Sequence, residues 1–284
     1  MPAPDFDDVL VEPLLERGAM DGKVDVVIPC YRAERHMPLL LKSMNAIFTA
    51  TPELCNVIVV IDGDDYEPEE TILAHVPENV SARAAKLSKN TGYAHASNVG
   101  TELGRAPYIL LLNADVQARD DFVTPLVEAL ESNPEAAAAG GLILDPRGRI
   151  HSCGSEYNPA SLCYDHVHRD CPADLDDPYV REPGERDMLT AAVFLVRRRD
   201  FEDAGGFDEA YVQAYFEDTD LCMKLRHAGK KILYVPASIS MHECGHSGVS
   251  SHKFYAHNRD LFHRRWVETG LVYKFAEERR TSEA

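Results

Sequence analysis

The residues of this chain that could do chemistry fall in a few short clusters. Asn113-Ala114-Asp115 and Asp62-Gly63-Asp64-Asp65 set carboxylates directly after apolar runs, and Glu217-Asp218 sets two more at the start of a helical pattern. A carboxylate so placed can hold a divalent cation or take the proton of an attacking hydroxyl. It can equally close an Asx turn or offset a helix macrodipole, and any one cluster taken alone fits those plainer roles. His242 follows a short β-like run, with His246 beyond it. Histidine is a ready companion to a carboxylate on a metal, and also a common strand-end residue. Cys163, His166, His168 and Cys171 form a C-x2-H-x-H-x2-C window with four zinc-ligand types, and His151 and Cys153 stand nearby. That spacing matches no familiar zinc finger, and so short a loop would have to fold back tightly to arrange a tetrahedron.

The runs that precede these clusters say what must position them. Residues 24–28 (VDVVI), 57–61 (VIVVI) and 108–112 (YILLL) are short, continuous and apolar, which predicts strands buried on both faces of a parallel sheet between helices. Helical spacing follows the first run at Leu39, Leu40, Ser43, Met44 and Ile47, and a small-residue helix precedes the third at about residues 93–103. Each strand runs into polar residues: Pro29 through Arg32 with Tyr31 among them, then Asp62, then Asn113 and Asp115. In an open α/β sheet the ligand crevice lies at the carboxyl ends of the strands, so the three segments converge there. Asn90 and Gly92 add a fourth, where glycine permits close backbone approach and the helix behind it offers free N–H groups. Downstream, five prolines between 140 and 184 predict irregular structure with an antiparallel edge. A strand is expected at 191–196, helices at 199–204 and 216–227, two brief strands at 232–235 and 239–241, and an amphipathic helix at 254–266.

With 284 residues and 29 basic against 47 acidic side chains, the net charge is −18. Such a surface does not suit nucleic acid, which demands clustered Lys and Arg, and a phosphorylated ligand would need a cation's help. No basic leader opens the chain, and its apolar runs fall far short of the roughly 20 residues that span a bilayer. Seven scattered cysteines suit reduced thiols in a cytoplasm. One segment breaks the acidity: residues 252–265 carry Lys253, Arg259, Arg264 and Arg265 against Asp260, with Phe254, Leu261, Phe262 and Trp266 as an apolar side. That pattern fits contact with an anionic membrane surface or a lipid-linked pyrophosphate, and equally a core-facing helix with a solvated basic side.

Five sequence words occur in a fixed order: VDVVIPCYR at 24–32, NTGYAHASN at 90–98, LLLNADV at 110–116, GGFD at 205–208 and FEDTDL at 216–221. Together they resemble family 2 glycosyltransferases over about residues 23–265, and the wording is most similar to the rhamnosyltransferase-like branch. The resemblance implies a GT-A fold, a mostly parallel central sheet with helices on both faces and a small antiparallel element on the acceptor side. It implies an N-terminal extension at 1–22, one domain at 23–269 with a donor half to 116 and an acceptor half from 117, and a tail at 270–284. Members use nucleotide-diphosphate sugars with Mn2+ or Mg2+ and invert the anomeric carbon while transferring to a hydroxyl acceptor. By that likeness Asp115 and His242 would ligate the metal and Asn113 would face the ribose. Asp62 would meet the base edge, with Tyr31 against the base and Pro29, Asn90 and Gly92 completing the nucleotide site. Asp218 would be the general base. Asn113 departs from the family's DxD motif, replacing a carboxylate with an amide, and Asp62-Gly63-Asp64-Asp65 departs from the usual wording there. The resemblance places the chain in the cytoplasm or at the inner face of a membrane. Rival readings are a sugar-phosphate nucleotidyltransferase, which would need a Gly-rich basic loop not found near the start, a polyprenyl-phosphate transferase, and a non-catalytic sugar-nucleotide-binding protein.

Overall fold

A computed structural model of the chain describes residues 4–243 and 252–273. Strand β1 (Val11–Arg17) is followed by β2 (Val24–Cys30), helix α1 (Met37–Ala50), β3 (Cys55–Asp62), α2 (Glu69–His75), β4 (Ala82–Leu87), α3 (Tyr93–Glu102) and β5 (Tyr108–Leu112). The second half runs β6 (Val116–Ala118), α4 (Val123–Ser132), β7 (Ala136–Leu144), β8 (Ile150–Ser152), β9 (Ser155–Asn158), β10 (Cys163–His166), α5 (Pro178–Arg181), β11 (Gly184–Glu185), β12 (Val193–Arg197), α6 (Arg198–Asp203), α7 (Glu217–His227) and β13 (Lys231–His242). Helix α8 (His252–Phe262) continues into a π-helical turn, His263–Val267.

The main sheet has the order β1-β4-β3-β2-β5-β12-β7-β13-β11, with β6 on β13 and β8 on β7. Strands β4, β3, β2 and β5 are parallel neighbours, as their unbroken apolar runs required. All eight residues of β3 are buried. Alternate side chains divide between two cores: Val57, Val59 and Ile61 pack with Leu40, Met44 and Phe48 of α1, while Ile58 and Val60 pack with Ala94, Ala96 and Val99 of α3 and Leu221 of α7. Period-2 geometry alone produces this division. Each fully buried aliphatic contributes about 1.5–3 kcal/mol relative to exposure.

Three sequence expectations change. Residues 11–17, within the expected extension, form an antiparallel edge strand on β4. The two brief strands expected at 232–235 and 239–241 are one strand, β13, whose register against β7 slips between Val235 and Ile239 where Pro236 interrupts the ladder. Residues 140–144 complete a central buried strand rather than irregular structure. Their composition, AAAAGGLIL for the whole strand, hides this because alanine and glycine carry low β-propensity. Packing explains the choice: a Cβ on Gly141 would stand 2.0 Å from the Ser238 carbonyl oxygen. At the amino-terminal edge of the sheet, away from the strand ends just described, buried Asp25 accepts hydrogen bonds from Arg198, Asn56 and the Ala106 N–H, all at 2.7 Å, and ties β2 to α6.

Candidate functional site

The carboxyl ends of β2, β3, β5 and β13 open on one cavity of about 490 Å3, closed on its far side by the loop into α7. Pro29, Tyr31, Asp62, Asn90, Gly92, Asn113, Asp115, Asp218 and His242 all line it. Residues scattered over more than 200 positions therefore meet because parallel strands end together.

At the end of β5, Asp115 Oδ1 lies 2.9 Å from His242 Nε2, and Asn113 Nδ2 lies 3.3 Å from the same nitrogen. One imidazole nitrogen cannot both donate to a carboxylate and accept from an amide, so His242 faces two competing demands. Burial raises the Asp115 carboxyl, but the hydrogen bond and charge of His242 outweigh it and hold it below its ordinary range. The backbone is pinned too, since the Glu243 N–H donates to the Asp115 carbonyl at 3.1 Å. A carboxylate oxygen and an imidazole nitrogen are a suitable donor set for Mn2+ or Mg2+. Their separation suits it as well: two neighbouring ligands of an octahedral ion, each at about 2.1 Å, stand about 3.0 Å apart. Among the described residues no three His, Cys, Asp or Glu side chains converge on one point, so an ion here would draw its other ligands from phosphate and water. His246 lies outside the described residues.

Asp62 has a different employment from contact with a base edge alone. Its Oδ1 accepts from the Thr91 N–H at 2.6 Å and the Thr91 hydroxyl at 2.8 Å, and its Oδ2 accepts from Asn90 Nδ2 and the Gly92 N–H, each at 2.9 Å. Burial raises this carboxyl, and the loop's donors oppose the rise. The Tyr93 N–H is also taken, by the Gln213 carbonyl at 2.7 Å. The N–H groups of Thr91, Gly92 and Tyr93, which lead into α3, are therefore spent on the protein itself. Gly92 is obligatory for this closure: its φ is +93°, and a Cβ would stand 2.6 Å from Gln213 Cα.

On the same cavity as the Asp115–His242 pair, Glu217 and Asp218 open α7. Burial lifts both carboxyls above the ordinary range, and their mutual repulsion lifts Glu217 well above it. Asp218 accepts from the Ala191 N–H at 3.3 Å, the Thr219 N–H at 2.7 Å, the Thr219 hydroxyl at 3.3 Å and the Thr190 hydroxyl. Glu217 Oε2 is buried with no hydrogen bond. Donors stabilise an anion, so the pair's shared negative charge belongs on Asp218 and its proton on Glu217. Asp220, two residues further into α7, is fully buried. It accepts from Tyr211 (3.0 Å), Arg265 (2.9 Å) and Trp266 (2.7 Å).

That network divides the basic helix. Arg265 also pairs with Asp208 at 2.6 Å and Trp266 is buried, while Arg259 and Arg264 stay exposed. Only the front of α8, with Phe254 and Tyr255, lines the cavity. The four zinc-ligand types also separate: His166 Nδ1 pairs with Ser155 Oγ at 2.9 Å, His168 with Asp177 at 3.2 Å, Cys163 lies 4.0 Å from the Tyr255 hydroxyl, and Cys171 packs beside Ile150 and Cys153. The β9–β10 hairpin points alternate residues apart, which prevents their convergence. The six cysteines among the described residues are free thiols, and no described helix is long and apolar enough to cross a membrane.

Sequence reasoning missed Ala191 and Gln213, which act through backbone groups and carry no side-chain signature, Thr190, whose hydroxyl reaches Asp218, and Arg169, an exposed cation on the cavity wall. His151 signalled only as a neighbour of the supposed zinc window. Its ring stands 5.2 Å from that of His242, and burial, then repulsion by His242, lowers its pKa to about 3.

Residues 25–151 match the family model for glycosyl transferase family 2. The chain is 29% identical over 249 residues to the N-acetylglucosaminyl-diphospho-decaprenol L-rhamnosyltransferase of Mycobacterium tuberculosis, covering 80% of this chain and 78% of that protein. It is 26% identical over 182 residues to rhamnosyltransferase WbbL of Escherichia coli, covering 60% of this chain and 69% of that one. The structure of GalNAc-T7 with UDP, GalNAc and Mn2+ aligns with a TM-score of 0.62 at 16% identity, over 78% of this chain and 43% of that chain. At that identity the likeness concerns the fold, which is GT-A.

Proposed function

We propose that this chain, a glycosyltransferase belonging to glycosyl transferase family 2, transfers a sugar from a nucleotide-diphosphate donor to a hydroxyl acceptor in one inverting, divalent-metal-dependent displacement. The observation that carries the reading is the placement of the Asp115–His242 pair and the Glu217–Asp218 pair on one cavity. Asp115 and His242 would hold Mn2+ or Mg2+, which would neutralise the charge developing on the departing diphosphate. Tyr31 and Pro29 offer the base an apolar wall, Asn113 lies toward the ribose, and Asp62 keeps the Asn90–Gly92 loop in place beneath them. Asp218 accepts the proton of the attacking hydroxyl on the side away from the leaving group, while protonated Glu217 leaves it the charge. By likeness to the mycobacterial relative, the acceptor is a saccharide hydroxyl on a diphospho-lipid carrier.

The test is Asp218→Asn, which keeps size and hydrogen bonding but cannot take a proton. Turnover should fall about 10²- to 10⁴-fold with donor affinity nearly unchanged. Normal turnover, or a product retaining the donor's anomeric configuration, would refute the mechanism. A non-catalytic sugar-nucleotide-binding protein is the rival that Asn113 favours, and it predicts donor binding without transfer in the wild type.

A further inference from the structure

The loop that delivers Glu217 and Asp218 is held in a conformation its residues resist. Gln213, Tyr215 and Phe216 have φ of +65°, +81° and +74°, the left-handed region that bulky side chains avoid. A single residue of α8 holds it there. Asn258, fully buried, donates through Nδ2 to the carbonyls of Val212 (3.0 Å), Ala214 (2.9 Å) and Tyr215 (3.0 Å) and accepts from the Val212 N–H at 3.0 Å. Backbone strain persists only where the surroundings over-determine it, and it concentrates at binding sites. What the strained backbone achieves is visible in the side chain it turns outward. Tyr215 is 46% exposed on the cavity wall, and its hydroxyl makes no hydrogen bond among the described residues. Tyr255 of α8, 39% exposed, meets it edge to face with ring centroids 5.8 Å apart, and buried Phe216 supports Tyr255 from behind at 5.2 Å.

We infer that Tyr215 and Tyr255 form the platform on which a pyranose ring of the acceptor stacks, beside the carboxylate that deprotonates it. The inference rests on the glycosyltransferase reading and adds the surface that receives its saccharide acceptor. A pyranose presents an apolar face of axial C–H bonds and a rim of hydroxyls. The platform supplies an aromatic face, and Asp218 supplies a polar partner at its edge. Rigid aromatic rings bind with little ordering cost, and the Asn258 clamp has already met that cost for Tyr215.

The experiment uses the whole chain saturated with UDP, GDP or dTDP, whichever binds, and Mn2+. A panel of methyl pyranosides (N-acetylglucosaminide, glucoside, galactoside, mannoside and rhamnoside) is then titrated by saturation-transfer NMR. At least one pyranoside should bind with its C–H face saturated, weakened about tenfold or more by Tyr215→Ala or Tyr255→Ala and within about twofold of wild type in Tyr215→Phe. Because both rings are exposed, melting curves should show these variants folded. Binding of no pyranoside, or binding indifferent to both alanine variants, would overturn the platform. Calorimetry of nucleoside diphosphate on the wild type with and without Mn2+ reports separately on the donor site, so its failure is distinguishable from failure of the platform.

Discussion

Asp115 and His242 come from strands 127 residues apart and contact each other directly, which gives each a testable dependence on the other. Removing the carboxylate leaves one protein donor for a divalent ion. Asp115→Ala should abolish Mn2+-dependent nucleoside-diphosphate binding in calorimetry, and undiminished binding would sink the assignment. Asp218 makes a prediction in pH. Its folded-state carboxyl is raised by burial, and the base must be ionised to act, so turnover should rise with pH through an apparent value above the ordinary carboxylate one of about 3.9. The Glu217–Asp218 pair titrates together, so this value belongs to the pair. A pH–rate profile with Glu217→Gln tests the assignment: because Glu217 keeps its proton while Asp218 ionises, the rise should stay in place. A rise displaced to lower pH would show that Glu217 carries part of the pair's negative charge.

At the scale of elements, two buried side chains act as latches. Asp62 at the end of β3 holds the start of α3, and Asp62→Ala would leave the N–H groups of Thr91 and Gly92 without partners. Each such group costs about 1–3 kcal/mol, so a stability loss of about 2–5 kcal/mol is expected in denaturant titration, together with weakened nucleotide binding. A loss under about 0.5 kcal/mol would show the latch to be idle. Asn258 is the second latch, joining α8 to the loop before α7. Asn258→Ala would strip three carbonyls of their donor and free the left-handed residues to relax. Its melting temperature should fall, and its turnover should drop further than its donor affinity, because Asp218 is displaced while the Asp115 side stays intact. Equal losses in both parameters would argue against a local role.

Over the whole molecule, burial of neutral histidine makes the fold sensitive to acid. His166 sits against the hairpin with its pKa lowered to about 4, first by burial and then by the nearby Arg169. In the unfolded chain it protonates near 6.5, so between about 6.5 and 4 the unfolded state binds more protons. Stability is therefore present above 6.5 and is lost as pH falls toward 4. The contribution is on the order of 2 kcal/mol, and His166→Asn should flatten that part of the stability curve in urea titrations from pH 7 to 4.5. An unchanged slope would place the acid sensitivity elsewhere, first at His151, whose pKa burial lowers to about 3.

The amino-acid sequence by itself determined the parallel strands and the end of the sheet at which the polar residues gather. The runs at 24–28, 57–61 and 108–112 are too apolar for any sheet with a wet face, and Asp62, Asn113 and Asp115 must follow where those strands stop. Local pattern also marked Glu217-Asp218 as a helix start. Only the tertiary structure decided how each group is employed. Asp62 turns toward the 90–92 loop and Asp220 becomes a buried hub for Arg265 and Trp266, because their partners lie 29 and 45 or more residues away and no periodicity announces them. The alanine-rich β7 became a central strand because Gly141 admits the Ser238 backbone, a steric fact of two distant segments. The platform of Tyr215 and Tyr255 was equally hidden, since a left-handed tyrosine is disfavoured by every local rule and exists only because Asn258, far along the chain, compensates the loop that carries it.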